Sequence, residues 1–381
     1  MIRAMISGAV LALTLGLSAT PTAAAQDEDK GVLFWPPARR EAAFRTMDTL
    51  TPHRLVPHGD RVRALPAGTP LDLDVSAYME AERVAGVLVL QDGKVRLERY
   101  GLGMTAENHW VSFSMTKSLT STLIGAALKD GLIHDLDDPI TRYLPEMAGG
   151  GYDGVTLRQL LTMTSGVAWN EDYADPNSDV ARFLTAPADP GLDANVSYMR
   201  RLPSAATPGT RWHYSTGETN LVGVLLGRAV GRPLSEYLAE KIWGPAGMEA
   251  DGHWMLDAQG KEVGGCCVSA TLRDWGRVGL MVLDGGVTNG TTIVGPDWFA
   301  QATHEQADIG EPGMGYGYQW WTYDDGRFGA RGIFGQAIQI DPERKLVIVV
   351  LSAWPTATGE ARSAARTALF ERITAAVDAA P

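Results

Sequence analysis

Apolar and polar residues change their period several times along this chain. Val87-Leu88-Val89-Leu90 and Val95-Arg96-Leu97-Glu98-Arg99-Tyr100 are β-rich runs on either side of Asp92-Gly93. That dipeptide tolerates the positive φ of a tight turn, so the pattern predicts a β-hairpin. From Ser114 onwards Met115, Leu119, Leu123, Ala127 and Leu128 recur three and four residues apart until Asp130-Gly131, which is an amphipathic helix and its C-terminal stop. Through roughly 132–285 short helical pieces, clearest at 155–161 and 221–227, alternate with loops rich in Gly, Pro, Asp and Asn. Strands return at 317–321, 335–340 and 346–351, and the last two flank the turn-length Asp341-Pro342-Glu343-Arg344-Lys345, which makes them an antiparallel pair. A helix over about 359–379, with Ala, Leu and Ile on one face, closes the chain.

This order implies an α/β architecture. A hairpin early and strands late most simply form one antiparallel sheet whose middle strands come from opposite ends of the chain, flanked by helices, with a mostly helical insertion beside it. The cleft between insertion and sheet edge is the natural ligand site. Residues 26–72, rich in Pro and Arg, predict an extended arm wrapping a domain that spans 73–381. Before the arm, Arg3, the apolar run Ala4 to Leu17 and Ala23-Ala24-Ala25 read as a signal peptide over 1–25. That run is shorter than the roughly 20 residues a membrane span needs. The expected product is exported, periplasmic or secreted, without a stable membrane anchor.

Composition narrows the chemistry by exclusion. With 45% hydrophobic and 20% charged residues the chain is globular. Its 33 Lys+Arg against 45 Asp+Glu, a net charge of −12, argue against nucleic acid as a partner, because phosphate binding needs a basic face. The two cysteines are adjacent, Cys266-Cys267. Neighbours rarely meet the geometry of a bridge, so two packed thiols are expected. The seven histidines are scattered, His304-Glu305 has no second histidine four residues on, and Asp135-Leu136-Asp137-Asp138-Pro139 lacks the length and glycine of a calcium loop. Neither metal nor cofactor is expected. The glycine-flanked serine of α/β-hydrolases is also absent.

What remains is Ser114-Met115-Thr116-Lys117 at a helix start. Three residues of separation put the serine hydroxyl and the lysine amine on one helix face, within reach of each other. Free N–H groups of the first turn stabilise negative charge, and a desolvated amine loses its proton readily, so Ser114 is a candidate nucleophile with Lys117 as its base.

Ser114-Met115-Thr116-Lys117, Leu128-Lys129-Asp130-Gly131-Leu132, Asp137-Asp138-Pro139-Ile140 and Val155 to Gly166, taken in order, resemble the penicillin-recognising serine hydrolase superfamily. More closely they resemble its class C β-lactamase-like branch, which holds esterases, D-amino-acid peptidases and 6-aminohexanoate-dimer hydrolases. The resemblance implies that Tyr214, in Trp212-His213-Tyr214-Ser215-Thr216, relays protons, with Thr216 where the family's Tyr-x-Asn motif has asparagine. The family's Lys-Thr-Gly strand motif is missing. Its counterpart is Ala330-Arg331-Gly332-Ile333-Phe334-Gly335-Gln336, which makes the backbone N–H of Ile333 the second oxyanion donor. An alternative register places Arg327-Phe328-Gly329 there and moves the donor to Ala330. With Ala330 in place of the lysine, efficient β-lactam turnover is not expected, and Arg331 is a candidate substitute charge. Tyr173 and Trp321 are candidate pocket walls. The implied substrate is a small amide or ester. The alternatives are a D-alanyl peptidase or weak β-lactamase-type activity on cell-wall-like substrates, and a non-catalytic binding or sensor homologue.

Overall fold

The structure, a computed structural model, describes residues 31–380. The expected signal peptide lies outside them. Four strands precede the first long helix, Thr116–Lys129: β1 (His53–Val56), β2 (Val84–Gln91), β3 (Lys94–Tyr100) and β4 (Trp110–Val111). After the helical middle come β5 (Gly252–Met255), β6 (Val268–Ala270) and the small hairpin β7 (Val287–Thr288) and β8 (Thr291–Thr292). The last third holds β9 (Ala307–Asp308), β10 (Met314–Tyr316), β11 (Trp321–Tyr323), β12 (Phe328–Gly332), β13 (Gln336–Asp341) and β14 (Leu346–Ser352), then the closing helix Glu360–Ala379.

The main sheet has eight strands in the order β3-β2-β14-β13-β12-β11-β10-β9, all antiparallel. Both β2 and β14 are almost continuously apolar rather than alternating, as strands covered on both faces must be. They pair with each other, Val89 opposite Ile348, so the two ends of the chain do meet in mid-sheet. The closing helix packs Leu369, Phe370, Ile373 and Val377 against Val87, Val89, Ile348 and Val350 on one face. Helix Leu272–Leu283 covers the other. In the hairpin, Asp92 (φ 48°) and Gly93 (φ 72°) take the left-handed conformation that a two-residue turn requires.

Several expectations are corrected. The 26–72 arm is not extended throughout. From Gly31 it carries helices Pro37–Ala43 and Met47–Leu50 and strand β1, because Phe44 and Met47 are drawn into the core. The mostly helical middle of the chain also carries two strands that the pattern did not predict. Strands β5 and β6 join β1 and β4 in a second sheet, ordered β1-β5-β6-β4. Residues 317–320 are a turn rather than a strand: Gln319 sits at φ 63°, and its side-chain amide donates to the carbonyls of Leu160 and Leu161, which ties it to the helical part. Cys266 and Cys267 lie side by side on a tight turn closed by Cys266 N–H to the Val263 carbonyl, with Cys267 buried.

Candidate active site

Strand β4 runs into the single 3-10 turn Phe113–Met115, which passes directly into helix Thr116–Lys129. Ser114 therefore stands at the open mouth of a helix nearly all of whose residues are buried. The preceding residue, Phe113, is held at φ 47°. A bulky side chain there is strained, and it persists only where packing over-determines it. The packing is a triangle of rings: Phe113 against Phe44 (5.0 Å) and Phe334 (5.2 Å), with Phe44 and Phe334 5.4 Å apart. Phe334 is itself at φ 60° and directly follows Ile333. One aromatic cluster thus fixes the backbone beside both expected oxyanion donors.

Lys117 is 1% exposed. Its Nζ lies 3.0 Å from Ser114 Oγ, 3.1 Å from Thr216 Oγ1 and 2.8 Å from the carbonyl oxygen of Gly265. The directions of these bonds can be worked out. Glu171, an acceptor only, takes hydrogen bonds from the hydroxyl and backbone N–H of Thr216, from Tyr173 OH (2.6 Å) and from the Trp169 indole. Thr216 has spent its one proton on Glu171, so it can only accept from Lys117. Gly265 O also only accepts. A neutral amine has two N–H bonds for these two acceptors, and its lone pair is left facing the Ser114 hydroxyl. Burial pulls the amine down to about 8, against a weaker upward pull from Glu171.

Tyr214 directly precedes the N-cap, Ser215, of helix Thr216–Val230, whose hydroxyl accepts from Glu218 N–H. Its ring lines the pocket beside Ser114, lies 5.3 Å from the Lys117 Nζ, and stacks on Trp321 at 6.0 Å, the planes 19° apart. Burial, and then Glu171, push the phenol far above its ordinary range, so it holds its proton.

The opposite wall is the end of β12. Gly332 pairs with Gln336 and Ala330 with Ile338, and Ala330 is buried while Gly332 and Ile333 line the pocket with Ser114. Of the two candidate donors, Ile333 lines the pocket with Ser114 and Ala330 does not. A Cβ on Gly332 would lie 2.4 Å from the carbonyl oxygen of Ser112, so only glycine lets β12 approach the nucleophile's strand this closely. Arg331 lies over Trp321 with its guanidinium carbon 4.9 Å from the ring, and donates to Tyr323 OH. From the closing helix Arg366, 5% exposed, reaches the same pocket over Trp354.

The structure gathers Ser114, Tyr173, Tyr214, Trp321, Arg331 and Ile333 around one cavity of about 310 Å³, with the Lys117 amine behind Ser114. A larger open depression of about 660 Å³ beside Arg228 and Arg232 has no serine, cysteine or tyrosine in its lining. Residues 71–371 match the family described as Beta-lactamase. The chain belongs to the beta-lactamase family. It is 31% identical over 335 residues to the 6-aminohexanoate-dimer hydrolase of Paenarthrobacter ureafaciens, 82% of either chain. It is also 31% identical over 142 residues to esterase EstB of Burkholderia gladioli, 35% of this chain and 36% of that one. Among solved structures, a Bacillus anthracis protein provisionally named 6-aminohexanoate-dimer hydrolase superposes with a TM-score of 0.80 at 23% identity, over 90% of this chain and 95% of that one. A penicillin binding protein from Bacillus halodurans gives 0.60 at 18%, over 78% and 100%. These two likenesses are of fold. Family and relatives together make the chain a serine hydrolase with the beta-lactamase fold.

Two residues of this beta-lactamase-family site were not singled out from the sequence. Glu171 stands two residues before Tyr173, in a loop read only as a wall. Arg366 lies in a helix read only as packing. A signal for Glu171 existed: threonine in place of the motif's asparagine at 216 calls for another polar partner nearby.

Proposed function

We propose that this chain hydrolyses a small amide or ester through an acyl-enzyme on Ser114. The observation that carries the reading is the Lys117 amine, whose neighbours leave its lone pair to Ser114. Lys117 takes the hydroxyl proton as Oγ attacks the carbonyl carbon. The N–H groups of Ser114 and Ile333 receive the developing oxyanion. Tyr214, still protonated, supplies a proton to the departing amine or alkoxide and recovers one from Lys117. Water then attacks the acyl-Ser114 ester, and Ser114 regains its proton as the acid leaves. Treatment with a fluorophosphonate, followed by peptide mapping, should find the label on Ser114 alone. Active protein with Ser114 unlabelled would sink the reading.

The substrate of this reading carries a carboxylate. Arg366 is buried, and burial followed by the neighbouring Arg331 lowers its guanidinium to about 10. Among the described residues neither arginine has a carboxylate partner, and a buried unpaired charge is costly until an anion meets it. An amide is favoured over an ester by the relative named for a 6-aminohexanoate dimer. Arg366→Met should raise KM about tenfold or more for an anilide whose acyl chain ends in a carboxylate, and leave the uncharged analogue unchanged. Equal losses on both substrates would remove the carboxylate from the proposal. Export of the chain remains part of this reading, on the strength of residues 1–25.

A further inference from the structure

Three of the seven histidines, scattered in sequence, converge at the second sheet. Strand β5 pairs with both β1 and β6, and β6 pairs with β4. His253 on β5 therefore has His53, the first residue of β1, on one side and His109, just before β4, on the other. Their rings meet edge to face, with centroids 4.8 Å apart for His53 and His253 and 4.6 Å for His109 and His253. Asp48, from helix Met47–Leu50, turns its Oδ2 into this group.

We propose that Asp48, His109 and His253 form a binding site for a first-row divalent metal ion, of the zinc type, distinct from the hydrolytic pocket. Asp48 Oδ2 lies 3.5 Å from His109 Nδ1 and 3.6 Å from His253 Nε2. An ordinary hydrogen bond would close these gaps to about 3 Å. Two ligands on a tetrahedral zinc ion with bonds of about 2.0–2.1 Å are instead about 3.3–3.4 Å apart. The three ligand atoms all lie within 4.8 Å of one another, so a point equidistant from them is at most about 2.4 Å from each, and a few tenths of an ångström of side-chain movement completes the geometry.

The donor set is chemically apt. Two imidazoles and one carboxylate leave a fourth position open, and nitrogen with oxygen suits zinc over calcium or magnesium. The far nitrogens, His109 Nε2 and His253 Nδ1, are buried without a partner among the described residues, so no competing hydrogen bond holds either ring in another role. Met47, Val111 and Met255 line the hollow together with Thr51, His53 and Ser269. All three ligands are partly accessible, with side chains 15–20% exposed, so an ion has a way in. A bound ion would tie the N-terminal arm to the small sheet, whose β4 leads directly into Ser114.

The test is calorimetric titration of the EDTA-dialysed full chain with ZnCl2. One equivalent should bind and raise Tm. His253→Ala and Asp48→Asn should each weaken binding about 100-fold or more, while His304→Ala, at an exposed histidine outside the cluster, should bind as the unaltered chain does. Asp48→Asn keeps the side-chain size and serves if His253→Ala does not fold. No saturable uptake by the unaltered chain, or undiminished uptake by folded Asp48→Asn, overturns the site.

Discussion

Lys117→Ala is expected to lower kcat/KM by about three to four orders of magnitude, because the Ser114 hydroxyl loses the amine hydrogen-bonded to it and attacks as a neutral alcohol. The hydrogen bonds that aim the amine are made by groups which do not themselves titrate near neutrality. The rate of the unaltered enzyme should therefore follow Lys117. Below about 8 the amine is protonated and cannot accept, above it the lone pair is free, so kcat/KM rises with pH through a single limb centred there. The measurement is the pH dependence of kcat/KM on an uncharged substrate. A limb centred well below about 8 would take the base role away from Lys117. Stability carries the same signature. The unfolded chain holds the Lys117 proton up to its usual pKa and the folded chain only to about 8, so across that interval the unfolded state binds more protons and unfolding free energy rises with pH.

Gly332→Ala should cost about 100- to 1,000-fold in kcat with a much smaller change in KM. The new Cβ would lie 2.4 Å from the Ser112 carbonyl and 3.1 Å from the Gln336 Cβ. The nearest obstacle is backbone, which cannot swing aside as a side-chain tip can. Strand β12 must back away from β4, and that widens the gap between the N–H groups of Ser114 and Ile333, where a donor works only within about 3 Å of the developing charge. Steady-state kinetics, read beside thermal melts at the assay temperature, separate this from simple unfolding. A variant that keeps its kcat within a few-fold would place the second oxyanion donor away from Ile333.

How legible the molecule was in its sequence depends on the distance over which each feature is decided. The Asp92-Gly93 hairpin, the Thr116–Lys129 helix and the β13–β14 pair are set by neighbours within a dozen residues, and there pattern and structure agree. The small sheet was invisible because its strands are two to four residues long, too short for a period, and β1 and β4 find their partners only about 200 and about 160 positions later. Residues 317–320 misled because their aromatics suggest a strand, whereas Gln319 is bent by bonds to Leu160, Leu161 and Thr219. Ser114 and Lys117 were legible because three positions on a helix settle their meeting. Glu171 and Arg366 carry no such local mark: one acts through Thr216, and the other gains its meaning only from the empty place opposite it. The histidine group failed for the same reason, since His53, His109 and His253 share nothing in the sequence but their residue type.

The pairing of β2 with β14 also dictates a timetable. Gln91 opposes Leu346, about 255 positions later, so while the chain is being synthesised β2 waits with an unpaired, almost continuously apolar edge until nearly everything else has been made. Closing so long a loop is slow, and a strand of this composition left open is a template for sticking to other chains. The nucleophile's helix can form early, but Ile333 reaches it only when the last strands arrive. A ribosome that stops short of Leu346 therefore releases no partial enzyme, only an aggregation-prone fragment.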